Sequence, residues 1–71
     1  MITNKLHSFV IVMTKSVCSA TKRIFDIGDR LSVTTYSDCQ GPNFNGATFD
    51  IDGYPYRKFF WHDEFMIVKR K

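Results

Sequence analysis

The sequence predicts an all-β domain of about five short strands, and three observations lead there. Apolar and polar residues alternate over Leu31–Thr35 and Ala47–Asp52, the period of two at which successive side chains fall on opposite faces of a strand. Turn-forming residues separate these runs, most densely over residues 37–46 and at Asp52-Gly53. No segment carries the 3.6-residue apolar stripe of an amphipathic helix. At 71 residues the whole chain, 1–71, reads as one small domain, because a chain this size buries only about 60% of its unfolded surface and cannot split into two cores. A large enzyme fold is thereby excluded. The 15% aromatic content is too high for a disordered tail.

The first strand is expected over residues 8–14, where Phe9, Ile11 and Met13 alternate with Val10 and Val12. Both sets are apolar, as in a strand covered on both faces. Lys15 to Lys22 is polar and rich in Ser and Thr, which predicts a loop. The pattern resumes at Ile24-Phe25-Asp26-Ile27, bends at Gly28, and continues as a half-buried strand with Leu31, Val33 and Thr35 on one face. Residues 37–46 then form a long loop. Phe49 and Ile51 define the inner face of the next strand, Asp52-Gly53 is a hairpin signal, and Tyr54–Trp61 is the returning strand. Pro55 stands at its start, where a missing amide costs little. His62-Asp63-Glu64 interrupts the alternation and predicts a short 3₁₀ turn before the last strand at Phe65–Val68. Five short strands protect their edges best by curling into a small barrel or packing as two sheets.

Phe25-Asp26-Ile27-Gly28-Asp29-Arg30-Leu31 leads into a strand, a long loop and a hairpin, and Phe60-Trp61-His62-Asp63-Glu64-Phe65-Met66-Ile67-Val68 closes the chain. This succession resembles the small Src-homology-3-like (SH3-like) barrels of many short bacteriophage and bacterial proteins. The resemblance covers about residues 23–69. It implies a five-stranded barrel with residues 8–14 as an extra N-terminal strand, added to one edge or pairing with a second copy in a dimer. It also implies a scaffold for protein or nucleic-acid contacts without catalysis, in phage often one that inhibits or redirects a host or defence protein. The acidic and aromatic set of a proline-peptide-binding domain is absent from its usual arrangement.

Ten Lys and Arg against seven Asp and Glu give a net charge of +3, which permits nucleic acid without demanding it. Two cysteines, Cys18 and Cys39, have no Cys-x-x-Cys or His spacing around them, so they read as reduced thiols in a cytoplasmic protein. Lys5 precedes five apolar residues, and Cys18-Ser19-Ala20 faintly resembles a signal-peptidase site, but Lys15 interrupts the run. Neither a secretion signal nor a membrane span of about 20 apolar residues is expected.

The candidate site follows from what the core leaves over. Phe60 and one of Phe59 and Trp61 are expected inside, with Tyr54, Tyr56, Arg57 and Lys58 on the surface. Exposed Tyr, Trp and Arg are the types enriched at the centres of protein interfaces, which nominates Tyr54, Tyr56, Arg57, Trp61 and the loop residue Phe44 for a protein partner. Phe44 either folds back as a plug or projects as an anchor. The same strand, with Lys22, Arg23, Arg57, Lys58 and the tail Lys69-Arg70-Lys71, is the alternative nucleic-acid surface, rings stacking on bases and cations meeting phosphates. His62-Asp63-Glu64 cannot converge on one ion, and no nucleophile stands with a base and an orienting group at a known spacing. The expectation is a binding module with no catalytic residue, metal or cofactor.

Overall fold

The computed structural model describes residues 5–71 and contains seven strands. Five form one antiparallel sheet: β1 (His7–Met13), β4 (Arg30–Thr35), β5 (Gly46–Ile51), β6 (Arg57–Trp61) and β7 (Phe65–Arg70), in the order β6-β5-β4-β1-β7. The short β2 (Val17–Cys18) and β3 (Ile24–Phe25) pair only with each other.

The N-terminal strand is therefore no addition to an edge. It lies between β4 and β7, with Phe9 opposite Val33 on one side and Ile11 opposite Ile67 on the other. Its composition accounts for this position: Phe9, Ile11 and Met13 are fully buried, and Val10 and Val12 are half-buried on the outer face. The expected core over about residues 23–69 therefore leaves out a central strand of the sheet. Both edges of Phe9–Met13 are engaged within the chain, so a second copy cannot pair there.

The alternation read from the sequence places the core. Leu31, Val33 and Thr35 of β4, Ala47, Phe49 and Ile51 of β5, Phe60 of β6 and Phe65 of β7 all point inward. Phe25 joins them from β3 and Cys39 from the loop, and together they form one cluster with half-buried Phe44 and Tyr54 packed against it. Each fully buried large apolar side chain contributes about 1.5–3 kcal/mol. Thr35 is the polar exception, and its hydroxyl donates to the Thr48 carbonyl at 2.8 Å.

A closed barrel is not formed, because no ladder joins β6 to β7 among the described residues. The two margins of the sheet are nevertheless only three residues apart in sequence, which forces the sheet to coil until they meet at Trp61 and Phe65. Thr14 fastens this corner, its amide donating to the Glu64 carbonyl at 2.9 Å and its hydroxyl to that of Asp63 at 2.7 Å. The expected 3₁₀ turn is a single β-turn, closed by the Glu64 amide on the Trp61 carbonyl at 2.9 Å.

Two further expectations change. Asp52-Gly53 does not join two strands directly: Tyr54 N–H donates to the Ile51 carbonyl at 3.0 Å with Gly53 at φ +80°, the positive angle a type II turn places at its third residue. The hairpin closes only at Asp50 and Arg57, so Tyr54–Tyr56 lie outside the strand. The segment read as a loop before Lys22 contains β2, whose pairing with β3 holds Phe25 over the core.

Candidate interaction surface

The turn after β5 sets the first ring. Tyr54 packs edge-on against Phe25 at 5.4 Å, and its hydroxyl accepts from Thr21 Oγ1 at 3.3 Å. The Ser19 and Thr21 hydroxyls hold the Tyr54 phenol below its ordinary value of 10.0. Tyr56 stands edge-on to Tyr54 at 6.0 Å and is 60% exposed. Alternation along β6 then divides its side chains. Lys58 lies 5.7 Å from the centre of the Phe60 ring, while Arg57, Phe59 and Trp61 all face outward.

Expecting one of Phe59 and Trp61 in the core was therefore wrong. With Phe60 inward, both neighbours must point out, and among the described residues no second layer covers them. They meet edge-on at 5.0 Å, with Trp61 56% exposed. Arg57 reaches across to Asp50, with 3.4 Å between Nε and Oδ1.

These residues gather around a groove of about 450 Å³ that Tyr54, Tyr56 and Lys58 line together with Ala20 and Thr21. Arg57 and Phe59 complete its rim. Arg23 lies 4.8 Å from the Phe25 ring centre and 5.7 Å from that of Tyr54, and exposed Lys22 precedes it with φ +66° in the hairpin turn. Ala20 and Thr21 carry no sequence signal for this role, because only the β2–β3 pairing brings them to β6.

Two predicted members lie elsewhere. Phe44 folds back, half-buried and edge-on to Phe65 at 6.2 Å. The basic tail sits at the other margin. Arg70 donates to the Asp38 carbonyl at 3.0 Å and lies 5.0 Å from the Phe9 ring centre, and Lys71 N–H donates to the Ser8 carbonyl at 2.9 Å. Since Arg57 faces Asp50, Asp50 faces Thr34 and Thr34 faces Ser8, the tail is four strand spacings from Arg57, about 19 Å along the sheet. The side chains of the 62–64 turn diverge: Asp63 goes to Lys15 and Glu64 to the Trp61 amide. Among the described residues no three His, Cys, Asp or Glu side chains gather as a metal site, and no helix is long and apolar enough to cross a membrane. No family model matches the chain, and neither a curated protein nor a solved structure matches it.

Proposed function

We propose that this protein is a non-enzymatic module that binds a protein partner through the groove along β6. The observation that carries this reading is the gathering of Tyr54, Tyr56 and Arg57 with Phe59 around one concavity, with Trp61 extending the aromatic surface. Aromatic and arginine anchors held on a strand and on the packed turn before it supply contact area with little loss of side-chain freedom. The resemblance to phage and bacterial barrels points to a host or defence protein as partner, blocked by steric occlusion in the cytoplasm.

The second reading is nucleic-acid binding, favoured by Arg23, Arg57 and Lys58 bordering the same rings, with exposed Lys22 next to Arg23 in the chain. The protein reading stands ahead of it because Lys69, Arg70 and Lys71 are not among the residues lining the groove, and Arg70 is held at the Asp38 carbonyl and the Phe9 ring. The two are separated by cross-linked capture from bacterial lysate with the wild type, Tyr56→Ala and Arg57→Ala, and Ile27→Ser as a control away from the groove. A protein recovered by the wild type and the control but lost with both groove variants is the expected result. Binding of an oligonucleotide that weakens about a hundredfold between about 50 and 200 mM salt, as four phosphate contacts require, would replace it with the second reading.

A further inference from the structure

Sheet order leaves β6 with a neighbour on one side only, and hydrogen bonds at its end show which residues turn their backbone groups outward. Trp61 N–H donates to Glu64 Oε1 at 2.8 Å, and the Trp61 carbonyl accepts from the Glu64 amide at 2.9 Å. Both groups therefore face away from β5. Inward and outward residues alternate along an antiparallel strand, so Phe59 and Arg57 aim their N–H and C=O groups the same way. Thr48, opposite Phe59, agrees, because its carbonyl accepts from Thr35 on the β4 side. Lys58 Nζ donates to the Phe59 carbonyl at 3.3 Å. Among the described residues nothing on the free side meets the Phe59 N–H or either Arg57 backbone group.

The other margin of the sheet carries more contacts of the kind that blunt an edge. Arg70 ties β7 to the Asp38 carbonyl, Phe44 packs on Phe65, and the β1–β7 register shifts between Val10 and Ile11, devices that blunt an edge against pairing. At β6 the one comparable device among the described residues is the Lys58 ammonium on the Phe59 carbonyl.

We propose that β6 accepts an extended, acidic segment of the partner protein as an added strand, hydrogen-bonded to Arg57 and Phe59 and seated in the groove facing Ala20 and Thr21; this rests on the protein-binding reading. Strand addition takes affinity from main-chain bonds and selectivity from alternate side chains. The acidic character follows from charge. Lys58 and Arg57 line the groove together with no acidic residue, Arg23 lies 5.7 Å from the centre of the Tyr54 ring in its lining, and Asp50 already faces Arg57. A carboxylate opposite Lys58 draws its ammonium off the Phe59 carbonyl, freeing that acceptor for the incoming strand.

A second copy of the chain fits worse. Antiparallel pairing in which Arg57 and Phe59 of the two copies exchange bonds sets Lys58 directly opposite its counterpart, and like charges so placed are destabilising. Shifting the register to pair Phe59 with itself brings Arg57 against Trp61, whose backbone groups Glu64 already holds.

The test selects a displayed library of random eight-residue peptides on the full-length protein, then synthesises the enriched peptides with single N-methylated amides. Expected are sequences alternating Asp or Glu with β-branched residues. Their binding should weaken about tenfold when the amides facing β6 are methylated and hold when the alternate ones are. Amide exchange at Arg57 and Phe59 should slow on binding, and Lys58→Glu should weaken acidic peptides by a similar factor. Peptides that bind in the groove yet tolerate every methyl group would overturn strand addition and leave the protein-binding reading intact. Enrichment of basic or uncharged peptides would overturn the acidic assignment. A concentration-dependent dimer abolished by a Phe59→Pro change would make the occupant a second copy. No peptide selected, with oligonucleotide binding present, would remove both the inference and the reading beneath it.

Discussion

Phe59 lays its ring across Gly46 on the neighbouring strand. A Cβ at Gly46 would stand 2.6 Å from Phe59 Cζ and 2.6 Å from the Phe60 carbonyl oxygen. This glycine is present for close approach, and an aromatic ring covering a strand glycine restores the packing that the missing side chain would have given. The ring is thereby held against the sheet, 39% exposed, and becomes a fixed rim of the groove.

Gly46→Ala is accordingly expected to lower stability by about 1–3 kcal/mol, the cost of overpacking, read from the urea midpoint. Removing the ring relieves only part of the clash, since the Phe60 oxygen belongs to the backbone. In a Phe59→Ala background the substitution should cost less, by about 0.5 kcal/mol or more, but not nothing. An unchanged midpoint for Gly46→Ala would remove the close-approach account.

Adjacent phenylalanines on β6 should differ sharply. Phe60 is fully buried and lies 5.5 Å from Phe25, 5.9 Å from Phe49 and 6.4 Å from Phe65, centre to centre. Phe60→Ala is expected to cost about 3–5 kcal/mol from the total of about 4–11 kcal/mol that this length allows. That variant should melt far below the wild type in thermal denaturation. Phe60→Leu should stay folded with a lower midpoint, and Phe59→Ala should cost less than Phe60→Ala. Equal losses at positions 59 and 60 would contradict the inward and outward assignment.

That assignment also marks how far the sequence could be read. Period two places Leu31, Val33, Thr35, Phe49, Ile51 and Phe60 correctly, because each turns toward a single core. It does not say whether the opposite face is covered, and so it leaves Phe59 and Trp61 open. The two apolar sets of β1 signal a strand hemmed in by neighbours, but which neighbours depends on pairings far along the chain, such as Phe9 with Val33 and Ile11 with Ile67. Barrel closure turns on whether β6 and β7 exchange hydrogen bonds, about which side-chain pattern is silent. Tyr54, Tyr56 and Arg57 are visible as surplus rings and charge, whereas Ala20 and Thr21 join them in the groove only through tertiary contact.

The two thiols should react at different rates. Cys18 is exposed, and Cys39 is buried with its thiol pushed above the ordinary 9.0 by burial. Since the thiolate is the reactive form, a colorimetric thiol reagent should find one fast equivalent in the folded protein and a second only in denaturant. Mass spectrometry after alkylation should place the first on Cys18. Two fast equivalents would show that the loop carrying Cys39 opens readily.

The corner where the two margins meet carries a pH dependence whose sign can be worked out. Lys15 Nζ lies 2.7 Å from Asp63 Oδ2, with both side chains more than half exposed. Their hydrogen bond holds the Asp63 carboxyl below the ordinary 3.8 and raises the Lys15 ammonium above 10.5. A lowered carboxyl value stabilises the fold above 3.8, and that contribution is lost as pH falls through the folded value. A raised ammonium value stabilises below 10.5, and that contribution is lost as pH rises through the folded value. Both are complete only between those limits. Exposure keeps the pair weak and open to screening, and the Thr14 bonds to the Asp63 and Glu64 carbonyls do not depend on it. Asp63→Asn should therefore lower Tm slightly near pH 7 in low salt, with the difference shrinking in about 1 M salt. It should vanish at a pH where Asp63 is protonated in the folded chain. A deficit that persists unchanged at high salt would show that Asp63 acts through the backbone of its turn instead of through its charge.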